Sequence, residues 1–154
     1  MQATQDLHTA RREMMALLAQ GDTDTIARGL AASEHDPEIV ELRAPEIGLV
    51  MLRGRVGGTG SPFNLGEATV TRAAVRLASG EKGFSYIFGR DGKKARLAAV
   101  CDALWQASHS RRDIEQHVLL PLRAERERRL KHDRERTAAT KVDFFTLVRG
   151  EDER

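Results

Sequence analysis

The N-terminal part of the chain carries apolar side chains at helical spacing. One stripe between residues 4 and 20 consists of Leu7, Ala10, Met14, Leu17 and Leu18. Because residues three and four positions apart share a helix face, this pattern predicts a helix over residues 4–20 that ends at Gly21. Asp22 or Thr23 is placed to cap a short second helix, which fades out before Pro37.

After Pro37 the pattern changes to short runs rich in β-branched and aliphatic residues, which are typical of strands. These runs cover residues 39–43, 47–56, 69–77 and 84–88. Residues 44–46 separate the first two runs, and short connections favour antiparallel neighbours, so we predict a four-stranded antiparallel meander. In its last strand Phe84, Tyr86 and Phe88 alternate, which places three aromatic rings on one face.

A helix is expected from about residue 93 to residue 108, where it covers the sheet. Its apolar stripe includes Leu97, Val100, Cys101, Leu104 and Trp105. Ser110 is placed to cap the next helix, and Pro121 is expected to kink or restart that helix because proline lacks a backbone N–H. The pattern as a whole predicts the α+β class, with an antiparallel sheet of four or more strands covered by helices. We assign residues 1–120 to the core domain and residues 121–154 to an arm and tail.

The arm is highly charged. Between Arg123 and Arg136 there are seven basic and four acidic residues, so a helix here can bury almost nothing and is expected to be a solvated arm. A short apolar segment follows it. The candidates for partner docking in this tail are Val142, Phe144, Phe145, Leu147, Val148 and Arg149. Burial of each large apolar side chain contributes roughly 1.5 to 3 kcal/mol, so the tail is expected either to fold back onto the chain's own sheet or to insert into a partner subunit.

Composition excludes several classes of protein. The chain has 154 residues, which suits one domain with extensions, and its 25 basic and 23 acidic residues leave a net charge of only +2. Acidic residues interleaved in the arm would repel phosphates, so no nucleic-acid partner is expected. No apolar stretch approaches the roughly 20 residues of a membrane span, and a single cysteine, Cys101, cannot form an internal disulfide. We expect a cytoplasmic protein with no membrane partner, in which Cys101 is a buried hydrophobic residue.

A glycine-dense turn is the strongest candidate for binding chemistry. The anion-binding candidates are Gly57, Gly58, Thr59 and Gly60, whose amides are expected to line a concave nest, and Arg72, Arg76 and Arg90. Residues 72 and 76 share a face in either a strand or a helix, and Arg53 and Arg55 lead into the turn, so five guanidinium groups are hypothesised to converge on an anionic ligand or acidic partner. The alternative interpretation is a glycine-rich hairpin loop and a strand whose arginines pair with surface carboxylates. The same choice applies after the last strand, where Arg90 and Asp91 either bind a ligand or form a self-paired turn.

No catalytic machinery is evident. The five histidines occur singly, without HxH or HExxH spacing, and no GxSxG elbow is present. We therefore assign no catalytic residue, no metal ligand and no cofactor to this chain.

Several of these motifs together resemble the PhnG family, the G subunit of the bacterial carbon–phosphorus lyase core complex. The resemblance is carried by Arg55–Leu77, Gly89–Asp91 and Val142–Gly150, together with Glu46–Val50 and Asp102–Leu104. It extends from about residue 10 to the C-terminus.

The resemblance implies an accessory subunit of a cytoplasmic assembly of G, H, I and J subunits that works on alkylphosphonates. In that family the I subunit, aided by G, H and L, exchanges the adenine of MgATP for a phosphonate and so forms α-D-ribose 1-methylphosphonate 5-triphosphate. The J subunit, an iron–sulfur radical enzyme, later cleaves the C–P bond. The resemblance implies that this chain binds chiefly the I subunit, and we expect the helix at 93–108 and the tail at 142–150 to make those contacts.

Overall fold

The computed structural model describes residues 2–33 and 37–140. The helices are α1 (Gln2–Gln20), α2 (Thr23–Ala32), α3 (Gly92–Gln106), α4 (Arg111–Ile114), a π-helical segment (Glu115–Leu119) and α5 (Leu120–Ala139), and the strands are β1 (Ile39–Arg55), β2 (Pro62–Leu77) and β3 (Lys82–Phe88). The α+β class is confirmed. The side chain of Asp22 accepts a hydrogen bond from the Thr25 amide and caps α2, as its position before the helix predicts.

The sheet is a three-stranded antiparallel meander within the described residues, in the order β1-β2-β3. The predicted fourth strand was wrong because residues 44–46 do not form a turn. Instead β1 continues through them, with register shifts between Glu41 and Arg43 and between Arg43 and Glu46. A bulge in an edge strand tolerates Pro45, because the missing N–H there removes no ladder bond.

The hairpin between β1 and β2 is longer than the sequence predicts. The second strand was expected to begin at Thr69, but β2 begins at Pro62, so the predicted long loop is reduced to the turn at residues 56–61. At the other side of β2, β3 ends at Phe88 opposite Val70. The half of the hairpin beyond Val70 is therefore a ribbon of only two strands.

Helix α3 is the centre of the hydrophobic core. Nine of its residues are buried: Ala95, Ala98, Ala99, Val100, Cys101, Asp102, Ala103, Leu104 and Trp105. They pack with Met14, Leu17 and Leu18 of α1, Ile26 of α2, Val75 and Leu77 of β2, Ile87 of β3 and Leu122 of α5. The apolar side chains of α3 are thus used in the chain's own core, and the side chains that this helix exposes are Lys93 and Arg96. The contact of α3 with a partner stays a prediction.

Helix α5 begins at Leu120 with Pro121 in its first turn, directly after the π-helical segment, which agrees with the fresh start expected at this proline. Residues 111–139 stay helical throughout, and the π-helical segment just before the proline widens the turn in which the Pro121 N–H is missing. Helix α2 packs tightly on this segment, since a Cβ on Gly29 would lie 2.4 Å from the His117 carbonyl oxygen. From residue 126 to residue 140 every side chain is exposed, as the charge pattern predicts. No helix in the described part of the chain has the length and apolar character to cross a membrane.

Candidate functional site

One face of the sheet is left uncovered by α3. Cross-strand partners share a face, and the pairs are Ala74 with Phe84, Arg72 with Tyr86 and Val70 with Phe88. The alternate residues of the same strands, including Val75 and Ile87, belong to the core under α3. On the uncovered face Phe84, Tyr86 and Phe88 are 44%, 57% and 71% exposed. The prediction that these three rings share a face is confirmed, and we call this surface the open face.

A polar cluster crosses the open face beside the aromatic rings. The guanidinium of Arg72 donates to Glu46 at 2.5 Å, and Arg43 donates to the same carboxylate oxygen. These two hydrogen bonds lower the pKa of the Glu46 carboxyl below its ordinary value, and the hydrogen bond from Arg72 has the larger effect. Hydrogen bonds to Tyr86 and Glu46 raise the pKa of Arg72. The structure thus favours the alternative interpretation of Arg72, in which it pairs with a carboxylate of the sheet surface.

The glycine-dense turn forms the tip of the β1–β2 ribbon. Gly57 and Gly58 have φ of 61° and 76°, the left-handed region that glycine adopts at little cost. The Gly60 amide donates to the Val56 carbonyl at 3.1 Å, so this member of the hypothesised nest is already used. Arg55 donates to the Gly60 carbonyl at 3.3 Å, which holds its guanidinium at the turn.

The five arginines do not converge. Arg53 and Arg55 lie at the ribbon tip, whereas Arg72 lies ten positions beyond the start of β2, roughly 33 Å of extended strand. Arg76 shares the open face with Arg72, as their spacing predicts. Arg90 is exposed and follows β3, where the Gly89 backbone hydrogen-bonds to Thr69 and Thr71 of β2.

Asp91 has a structural role. One of its carboxylate oxygens accepts the Lys94 amide at 2.8 Å and caps α3, and the other accepts the Thr23 hydroxyl at 2.9 Å. The Lys94 amide is the main reason that the pKa of Asp91 lies below its ordinary value. Neither the ligand site nor the self-paired turn suggested for Arg90 and Asp91 describes this arrangement, in which Asp91 joins α3 to α2.

Sequence reasoning missed a buried ion pair that supports the edge of the open face. Arg11 of α1 donates to both carboxylate oxygens of Asp102, at 2.8 Å and 2.7 Å, and Asp102 is fully buried. The Phe84 amide donates to the same carboxylate at 2.9 Å. Asp102 therefore fixes both α1 and the free edge of β3 to α3. The only signal in the sequence was an aspartate within an apolar helical run.

The remaining candidate residues carry less information. Cys101 is fully buried, and burial raises the pKa of its thiol, so it is not a reactive thiolate. Among the described residues, no group of three or more His, Cys, Asp and Glu side chains is placed to hold a metal ion. The docking candidates Val142, Phe144, Phe145, Leu147, Val148 and Arg149 lie outside the described residues.

Comparison with known proteins identifies the family. The family model for phosphonate metabolism protein PhnG matches residues 9–150. A protein of Rhizobium meliloti (strain 1021), the alpha-D-ribose 1-methylphosphonate 5-triphosphate synthase subunit PhnG, is 50% identical over 143 residues, which are 92% of this chain and 90% of that protein. The family match spans the ribbon, the open face and both residues of the buried ion pair, and the two comparisons together confirm the resemblance found in the motifs. The chain belongs to the PhnG family of phosphonate metabolism proteins.

Proposed function

We propose that this chain is an accessory, non-catalytic subunit of a carbon–phosphorus lyase core complex. In this role it assists the formation of α-D-ribose 1-methylphosphonate 5-triphosphate from MgATP and methylphosphonate, in the cytoplasm. The observation that carries the proposal is the 50% identity, over nearly the whole length of both chains, to a subunit named for that synthase. MgATP is then a substrate of the complex, and this chain holds no cofactor of its own.

The open face gives the proposal a physical basis. Three adjacent aromatic side chains on an uncovered sheet face are costly to leave in water, and aromatic residues are enriched where protein surfaces meet. We propose that the open face binds another subunit, chiefly the I subunit, within an assembly that also contains the H and J subunits. The apolar tail at residues 142–149 is proposed as a second contact with the same partner.

The alternative function, direct binding of the triphosphate or phosphonate by the glycine turn and the arginines, has less support. The turn lies roughly 33 Å of extended strand away from Arg72, and Arg72 is paired with Glu46. A phosphate group held by this chain would therefore have the turn or Arg72 as its partner, and not both.

Co-purification tests the accessory role. Phe88 is 71% exposed, so Phe88→Asp is expected to leave the isolated fold intact and to reduce recovery of the I subunit at least tenfold from a co-expressed complex. Leu120→Asp is the matched control, since Leu120 is 59% exposed and lies on α5, away from the sheet. Failure of the unaltered chain to recover any companion subunit would contradict the proposed function itself.

A further inference from the structure

The β1–β2 ribbon extends beyond the rest of the sheet. Its strands are residues 49–55 and 62–69, paired from Leu49 with Thr69 to Arg55 with Pro62. Since β3 ends opposite Val70, neither strand of the ribbon has a third strand beside it among residues 2–33 and 37–140. Seven residues of strand span roughly 23 Å, so the ribbon is as long as a small domain is wide.

The side of the ribbon that continues the open face is entirely apolar. Val50 pairs with Ala68, and Leu52 pairs with Gly66. A Cβ on Gly54 would lie 3.9 Å from the Phe63 ring and 4.0 Å from Leu65 Cβ, which places these two side chains on the same side. The complete strip is Val50, Leu52, Gly54, Phe63, Leu65, Gly66 and Ala68. It runs without a polar side chain from the tip to Val70 and Phe88.

The opposite side of the ribbon also exposes apolar groups. Leu49 and Met51 are 63% and 52% exposed there, and on the apolar strip Leu65 is 64% exposed. A two-stranded hairpin is at best marginally stable in water, and large side chains exposed on both of its sides add an aggregation hazard. A ribbon with this composition is stabilised when another surface encloses both sides, which requires insertion into a groove.

Charge indicates which groove the ribbon fits. Between residues 49 and 69 the charged side chains are Arg53 and Arg55, close to the tip, and Glu67, which pairs with Met51 near the base on the side opposite the apolar strip. The complementary groove is therefore apolar where it meets the apolar strip and acidic at its far end, where the two arginines lie.

One apolar groove of the described part of the chain lies between α1 and β3 and is lined by Met15, Ala16 and Ile87 together with the cationic Arg12. A second copy that inserted its ribbon into this groove would set arginine against arginine, and in the groove between α1 and α5 Asp22 and Glu125 are mixed with Arg126 and Arg129.

We infer that the β1–β2 ribbon is an insertion arm that enters an apolar groove, acidic at its inner end, on a chain of different sequence. This inference rests on the proposed function, because it requires a companion subunit. The ribbon would be a contact surface separate from the open face. Its apolar side chains would fill the groove, and Arg53 and Arg55 would determine how deeply the ribbon inserts.

Site-specific cross-linking in the co-expressed complex tests this inference. A photoreactive amino acid at position 65 is expected to cross-link to a companion subunit, and one at position 120 is not. Cross-linking from position 65 only to a second copy, or to no chain, would overturn the inference. Because the label replaces one exposed side chain, this measurement does not depend on a destabilising substitution.

Substitution provides the second measurement. Leu65→Asp is expected to lower recovery of the companion subunits at least tenfold, and Arg53→Glu with Arg55→Glu to do the same, while Leu120→Asp leaves recovery unchanged. If the arginine variant assembles normally but slows formation of the ribose product, the tip binds an anionic small molecule and the acidic groove is wrong. If the unaltered chain recovers its companions and Leu65→Asp does so equally well, the insertion arm is wrong and the proposed function stands.

Discussion

Gly83 determines how closely β3 packs on α3. A Cβ at this position would lie 1.9 Å from the Ala99 carbonyl oxygen and 2.6 Å from the Ala103 amide nitrogen. Both are backbone atoms, so the substitution forces the strand and the helix apart. Gly83→Ala is expected to lower the free energy of unfolding by about 3 kcal/mol or more, measured by urea denaturation. Gly48→Ala is the control, because no atom lies within 4 Å of its Cβ, and a loss there as large as that at Gly83 would contradict the steric explanation.

The pair of Arg11 and Asp102 allows a second prediction for a single residue. Arg11→Met leaves a fully buried carboxylate that still accepts the Phe84 amide of β3 but has lost its cation. Loss of one member of a buried ion pair typically costs about 3 to 5 kcal/mol. Arg96→Met removes the exposed pair with Glu41 and is expected to cost less than about 1 kcal/mol. Chemical denaturation of both variants checks this difference, and equal losses would show that Asp102 does not depend on Arg11.

At the level of elements, Asp91 links the start of α3 to α2, and its contribution depends on pH. The hydrogen bond from the Lys94 amide lowers the pKa of Asp91 in the folded state. The Asp91 carboxylate therefore contributes its full stabilisation of the fold above its pKa in the unfolded chain, about 4. This contribution is lost as the pH falls through the lower pKa that Asp91 has in the folded chain. Asp91→Asn retains an oxygen to cap the helix but does not titrate. Lowering the pH from 5 to 3 is expected to reduce the thermal midpoint of both proteins. The decrease in Asp91→Asn is expected to be smaller than that in the unaltered chain by roughly 2 °C.

That comparison isolates Asp91, because Asp22 and Glu46, whose pKa values are also lowered, are present in both proteins. Identical slopes of thermal midpoint against pH for the two proteins would show that the Asp91 carboxylate does not stabilise the start of α3.

Local patterns predicted the elements whose stabilising contacts are close in sequence. The α1 stripe, the Asp22 cap and the alternation of Phe84, Tyr86 and Phe88 all follow from spacing within one element. The pairing of Glu46 with Arg72 depends on the register of a 17-residue strand with bulges, which no local signal defines. For the same reason residues 44–46 resembled a turn.

For the whole molecule, the sequence predicted the glycine turn and the aromatic face. It did not predict how far the turn lies from Arg72, which is beside the aromatic rings. A chain whose second strand begins at Pro62 carries the turn away from Arg72, and a strand that begins at Thr69 would have kept them closer. The site therefore became clear only when the length of the hairpin was known. The surfaces proposed to bind a partner are therefore distributed over the ribbon and the open face.

The C-terminal tail allows a prediction that distinguishes packing of the tail on its own chain from docking of the tail on a partner subunit. If residues 141–154 contact a partner, a chain ending at residue 140 is expected to keep its thermal midpoint within about 2 °C and to lose recovery of the I subunit. If the tail packs on its own sheet, loss of four buried apolar side chains, roughly 1.5 to 3 kcal/mol each, lowers the midpoint by more than about 10 °C.

A full-length chain with Phe144→Asp and Phe145→Asp is the matched variant, since it removes the apolar contact and keeps the length. A midpoint that falls in both variants supports folding back. A stable midpoint with lost recovery in both supports insertion into the partner, because the two phenylalanines then contribute only when a second chain is present. Unchanged recovery in both variants would assign assembly to the ribbon and the open face alone, and the tail would have no part in it.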